Sequence, residues 1–336
     1  MKRRGSEMKR VAIIAISFVV VSMVLLGGMV ASRWDGAVLL GRSARPVLAV
    51  ADTQLDLGTS ALPRVIFLGD STLWPVPDHP SYPTLVARRV DGRMEVRSIF
   101  FPGFDFTHYN FLLEPILDAA PRWLVLVAHL RTMVAEEAGW AYPELSSWLP
   151  VSELPRTAGL SLHRRGITVP TLLLSRLLRF PVARDAFYFA AGLRGQLGGE
   201  VGPWVLPESP GMVPDDPSFR EAHFRRYDVP LYPHHPMLRT LEAILVRSRR
   251  RGVSVLVLVS PVPVARLQEE GLYVRARYER RIGWLRAAAE KHGARVLDLH
   301  AAVRADGFRD DLGHLTGAGA EEVADHLVSD LRLPSP

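Results

Sequence analysis

The chain has 336 residues, 48% of them apolar and 23% charged, the balance of a globular protein with room for one sizeable α/β domain or two small ones. Its formal charge is +6, but Lys2, Arg3, Arg4, Lys9 and Arg10 face only Glu7 within the first ten residues, so the rest of the chain is close to neutral. A near-neutral body lacks the concentrated basic face that phosphate backbones require, which argues against nucleic acid as a partner. The absence of cysteine excludes disulfides, thiolate metal sites and cysteine nucleophiles.

Residues 11–31, VAIIAISFVVVSMVLLGGMVA, form an uncharged apolar run close to the roughly 20 residues a helix needs to cross a bilayer. The expectation is a transmembrane anchor with residues 1–10 as a cytoplasmic tail and everything from about Ser32 on the far side. Arg33, Arg42 and Arg45 follow the span and oppose that orientation. The alternative is a signal peptide cleaved after Ala31; against it, the run exceeds the usual length of about 7–15 residues, and Met29 is a poor small residue for such a site. Residues 32–62, with Gly36, Gly41, Pro46 and Gly58, are expected to be a stalk leading to a folded domain over 63–333.

From Arg64 the chain alternates short β-rich runs with helical patterns, the order of parallel strands joined by crossover helices. VIFLG (65–69), MEVRSIF (94–100), WLVLVAH (123–129), VSVLVLV (253–259) and ARVLDL (294–299) are the predicted strands. Their nearly continuous apolar character suits strands covered on both faces. Helices are expected over 271–292, ending at Gly293, and from after Thr316 to about Leu331. The stretch 130–235 is too long for an ordinary connection. It is rich in proline, carries Trp140, Trp148 and Trp204, and holds an amphipathic candidate at 171–194; the expectation is a helical insertion capping the site.

Two places carry chemistry. The first strand runs straight into Asp70-Ser71-Thr72, which sets a hydroxyl at the carboxyl edge of a parallel sheet, where such folds bind their ligands. Alone, that serine is equally well explained as a cap for the following turn. Near the other end, Asp311-Leu312-Gly313-His314-Leu315-Thr316 sets a carboxylate three residues before an imidazole, ahead of the last helix. A weakly nucleophilic hydroxyl needs a base within hydrogen-bond reach, and that base needs an acceptor to fix its tautomer. Asp310 rivals Asp311 for the acceptor, and Asp105, His108 and Asp306 are further candidates to line the site. His234 and His235, adjacent between two prolines, read as loop rather than metal ligands, and no glycine-rich phosphate loop is present. No metal or cofactor is implied.

GDSTLW (69–74), FFPGFD (100–105) and DLGHLT (311–316) resemble, in order and context, three blocks of the SGNH (GDSL-like) hydrolase superfamily. The resemblance implies a three-layer α/β/α, flavodoxin-like fold around a mainly parallel five-stranded sheet. It implies Ser71 as nucleophile, His314 as base and Asp311 as its acid partner, with an oxyanion hole built from the backbone N–H groups of Ser71 and Gly103. The family's third block supplies an asparagine after the third strand, whereas this sequence has VAHLRTM (127–133). The chain's single asparagine, Asn110, falls on a predicted helix. His129 is the first candidate to donate in its place and Arg131 the second. The implied activity is that of an extracytoplasmic, membrane-tethered serine esterase or O-acyl (O-acetyl) transferase acting on an envelope glycan, lipid or other ester. The alternative is a binding or assembly protein of the same fold that has lost catalysis.

Overall fold

The computed structural model describes residues 51, 53–74, 80–101, 103–131, 148–149, 231–310 and 313–332. The expected anchor, most of the expected insertion and the amphipathic candidate at 171–194 lie outside the described residues. Among those described, no helix is long and apolar enough to cross a membrane.

All five predicted strands form: β1 (Arg64–Gly69), β2 (Glu95–Phe100), β3 (Trp123–Ala128), β4 (Ser254–Val259) and β5 (Arg295–Asp298). They pair side by side in the order β2-β1-β3-β4-β5, every pair parallel. The helices described between and after them are α1 (Tyr82–Val90), α2 (Phe106–Asp118), α3 (Pro236–Arg250), α4 (Val264–Glu269), α5 (Arg275–Glu290) and α6 (Gly317–Asp330). The helix expected over 271–292 therefore begins only at Arg275. Gly293 behind it takes the left-handed conformation, with φ +79°, and the chain turns there through a bond from Ala294 N to Ala289 O.

The period-2 alternation of a strand explains the layers. Ile66, Leu68, Leu124, Leu126, Val255 and Val257 point to one face, where α2, α3 and α5 cover them. Val65, Phe67, Val125, Val127, Leu256 and Leu258 point to the other, under α1 and α6. With both faces buried, nearly every strand position is apolar. Tyr109 of α2 reaches the sheet through its hydroxyl, which donates to Val127 O at 2.8 Å. Burial, reinforced by the charges of Asp70, Asp105 and Tyr82, holds that phenol well above its ordinary range, so it stays a neutral donor.

The folded body starts before the expected boundary at residue 63. Ala51 and Leu57 are buried in the core. The Gln54 side chain accepts from Phe100 N at 3.0 Å and donates to Phe100 O at 3.3 Å. The buried Arg64 guanidinium donates to Leu57 O and Gly58 O, and through Nε to Glu95 at 2.6 Å. Gln54 and the carbonyls of Leu57 and Gly58 hence bond to β2 and β1 in what was expected to be the last part of a stalk.

Candidate active site

The carboxyl ends of β1 and of the loop before α6 meet at the top of the sheet. β1 ends at Gly69, where a Cβ would come within 2.4 Å of Leu73 Cδ1, so any larger residue would have to displace Leu73 from the turn. Asp70 then caps a single 3₁₀ turn, Ser71–Leu73, accepting from Thr72 N at 2.9 Å and from Thr72 Oγ1 at 2.7 Å. The serine that sequence alone allows as a cap is not one; Asp70 does the capping and Ser71 is left facing the cleft. Tyr82, at the start of α1, is fully buried beside this turn. Burial and then the Asp70 charge raise its phenol well above the ordinary range, against an opposing hydrogen bond with Thr72.

His314 arrives on a short antiparallel hairpin. Phe308 and Leu315 form an isolated bridge, Arg309 N donates to His314 O at 2.8 Å, and Thr316 N donates to Gly307 O at 2.9 Å. At its tip Gly313 has φ +90°, a conformation that side-chain-bearing residues rarely adopt. At its base Gly307 presses on Gly319 of α6, where a Cβ on Gly319 would meet Gly307 O at 2.2 Å. Thr316 caps α6 by accepting from Gly319 N.

The result is a contiguous chain of polar contacts. His314 Nε2 lies 3.0 Å from Ser71 Oγ, across 243 positions of sequence. Its Nδ1 lies 2.6 Å from Asp310 Oδ2, and its backbone N donates to Asp310 Oδ1 at 3.2 Å. A carboxylate can only accept, so Nδ1 carries the proton and Nε2 offers its lone pair to the serine hydroxyl. The carboxylate on the imidazole is thus Asp310, the rival in the sequence reading, four residues back rather than three. Asp311 itself lies outside the described residues. Ser71 and His314 line a cleft together with Trp74, Ser81, Arg309 and Leu315.

The remaining candidates sort by placement. Gly103 sits in the turn after β2 with φ +73°, three residues beyond Phe100, which is in register with Gly69. The sheet therefore carries it toward the nucleophile's turn. His129 and Arg131 lie in the interior, 0% and 5% exposed, and neither is among the residues lining the cleft. His129 Nε2 stands 3.1 Å from where a Gly313 Cβ would be, so it packs beneath the His314 hairpin. At the end of a strand covered on both faces, both side chains expected to supply the missing donor are buried. Asn110 is also committed elsewhere, accepting from Arg247 at 2.6 Å beside an Arg247–Glu114 ion pair.

Asp105 and His108 form a capping box at the start of α2. Asp306 lies in the exposed loop before the hairpin, near Arg304. His235 Nδ1 accepts from Met237 N and caps α3. A second carboxylate–imidazole pair, which sequence reasoning missed, joins Asp298 at the end of β5 to His300 at 2.8 Å, with Tyr273 OH 3.0 Å from the other ring nitrogen. Burial raises the Asp298 carboxyl, but the hydrogen bonds and charge of His300 outweigh it and lower the pKa overall. The ring stacks with Tyr273 and Tyr278, and the group ties β5 to the α4–α5 loop.

No family model matches the sequence, and no curated protein does. Among solved structures, an acetylxylan esterase from Geobacillus stearothermophilus is 10% identical, with 81% of this chain and 95% of that one covered at a TM-score of 0.42. An acetyl xylan esterase, AlAXEase, is 14% identical over 80% of this chain and 99% of that one, TM-score 0.44. A putative acylhydrolase from Bacteroides fragilis is 10% identical over 85% and 95%, TM-score 0.42. At such identities and scores these likenesses say nothing of chemistry, and the site's own geometry must carry the functional reading.

Proposed function

We propose that the chain is a serine esterase or O-acyl transferase of the SGNH kind that works through an acyl-Ser71 intermediate. The observation that carries this reading is the Ser71–His314–Asp310 chain of contacts at 3.0 and 2.6 Å. His314 Nε2 takes the Ser71 proton as Oγ bonds to the ester carbonyl carbon. The charge that develops on the carbonyl oxygen is held by the backbone N–H groups of Ser71 and Gly103. As the C–O bond to the alcohol breaks, the imidazolium returns its proton to the leaving oxygen. Water, or the hydroxyl of an acceptor, is then deprotonated by His314 and releases the acyl group. Asp310 stabilises the imidazolium at both stages and fixes the ring. Preformed backbone donors at the oxyanion are worth several kcal/mol of barrier.

Water and a sugar hydroxyl use the same residues, so esterase and transferase share this mechanism. The location that goes with it is the cell membrane, through the apolar run at 11–31, with the catalytic domain outside the cytoplasm. The substrate class is an ester of an envelope glycan or lipid. A fluorophosphonate probe tests the chemistry: it should label the wild type and not Ser71→Ala. A folded protein that takes no label would favour a binding or assembly role, the reading to which the interior placement of His129 and Arg131 points.

A further inference from the structure

We propose that Arg309 is a substrate-binding residue, and that the ester accepted by this cleft carries a carboxylate close to the bond to be broken. This rests on the reading of Ser71 and His314 as ester-cleaving groups and adds the charge of what they act on.

The placement follows from the hairpin. With Phe308 paired to Leu315 and Arg309 N bonded to His314 O, Arg309 and His314 stand opposite each other in an antiparallel ladder. Such partners project to the same side, with Cβ atoms about 5 Å apart. Both side chains line the cleft. The guanidinium is thereby set within a side chain's reach of the carbonyl that Ser71 would attack.

Its electrostatic position is unusual for an arginine beside a catalytic carboxylate. Among the described residues, the carboxylate paired with it is Asp310, at 3.9 Å from Nη2, and both Asp310 oxygens already accept from His314, at 3.2 and 2.6 Å. The contact with Arg309 is too long for a hydrogen bond. By contrast, Arg64 and Arg247 each hold a glutamate at 2.6 Å. Among the described residues lining the cleft, Arg309 is also the one permanently charged side chain and none is a carboxylate. It remains 30% exposed.

A guanidinium offers a planar fork of donors that matches a carboxylate through two parallel bonds, and it cannot lose its proton. One such fork balances one carboxylate. A phosphate dianion would leave charge uncompensated, since Arg309 is the one permanent cation among the described residues lining the cleft. The site therefore selects an acyl group or an alcohol bearing a single carboxylate, such as a dicarboxylic half-ester or the ester of a uronic-acid sugar.

The experiment uses the full chain and two matched ester pairs. The first is 4-acetoxybenzoate against its methyl ester, for charge on the alcohol side. The second is mono-4-nitrophenyl succinate against 4-nitrophenyl butyrate, for charge on the acyl side. In at least one pair the wild type should favour the charged member in kcat/KM. Arg309→Gln should cut that preference about tenfold or more, chiefly through KM, as expected for losing a charge-assisted bidentate pair. Arg309→Lys should retain part of it, and added salt should reduce it. Two results overturn the inference: no preference in either pair, or a Gln variant that slows both members equally, which would mean that Arg309 acts only by positioning Asp310. Ser71→Ala hydrolysing the neutral esters at the wild-type rate would overturn the ester-cleaving reading itself.

Discussion

Asp310 holds His314 twice, accepting from its backbone N at 3.2 Å and facing its Nδ1 at 2.6 Å, so one carboxylate fixes both the position of the residue and the tautomer of its ring. Replacing it with asparagine keeps the shape while removing the charge that stabilises the imidazolium. Asp310→Asn is expected to lower kcat by about two to four orders of magnitude, as loss of the acid member of such a triad does. Asp311→Asn should cost far less. The reverse ranking in esterase turnover would return the role to Asp311.

Two glycines in the site leave no free room for a Cβ. Gly69→Ala drives a Cβ into Leu73 at 2.4 Å, and Gly319→Ala drives one into Gly307 O at 2.2 Å. The first obstacle is the end of a side chain and can yield; the second is backbone. Gly319→Ala is expected to be the more damaging, by about 2–3 kcal/mol, seen as a drop in Tm of several degrees. Turnover should fall with it, because the same contact seats the hairpin that carries His314. Thermal melts of the two variants decide the order.

Burial of His129 under Gly313 gives its substitution a distinct signature. His129→Ala should lower Tm and slow turnover by less than the roughly hundredfold that removal of an oxyanion donor costs. A hundredfold loss of kcat with an unchanged Tm would instead show that the imidazole donates to the reacting oxygen.

Acid should weaken the β1–β2 edge. Burial tends to raise the Glu95 carboxyl, but hydrogen bonds from Arg64, Arg97 and Ser60, with the Arg64 charge, bring it from the usual 4.5 down to about 2. A carboxyl lowered on folding stabilises the native state fully above its unfolded pKa. That contribution is lost as the pH falls through the folded value. Tm is therefore expected to decline between pH 4.5 and about 2, and Glu95→Gln should be less stable at neutral pH and flatter across that window. Identical pH profiles for the two proteins would remove Glu95 from the account.

The strands were legible because a parallel sheet covered on both faces demands long apolar runs, and VIFLG and VSVLVLV have few other uses. The serine and histidine were legible through their neighbours: a glycine before the turn and a carboxylate just upstream of the imidazole. The choice between Asp310 and Asp311 was not, since consecutive acidic residues differ only in which way a hairpin points them. The surroundings of His129 were hidden for a related reason: it ends a strand in the sequence, but the Gly313 turn packs against it in the fold. Arg309 was invisible because its meaning depends on a cross-strand partner five positions away and on a carboxylate already taken.

The amide of Gln54 has a consequence for how copies of this protein meet. By occupying the outward-facing N–H and C=O of Phe100, it stands where a neighbouring strand would begin to zip onto the open margin of β2. Further along the same margin, the Glu95–Arg97 pair sets charge in the path of any such addition. Strands at a sheet's border are templates for self-association unless blocked, and here the blocking is done by a residue outside the sheet. Loss of that one amide would unmask the border at the end next to the catalytic turn.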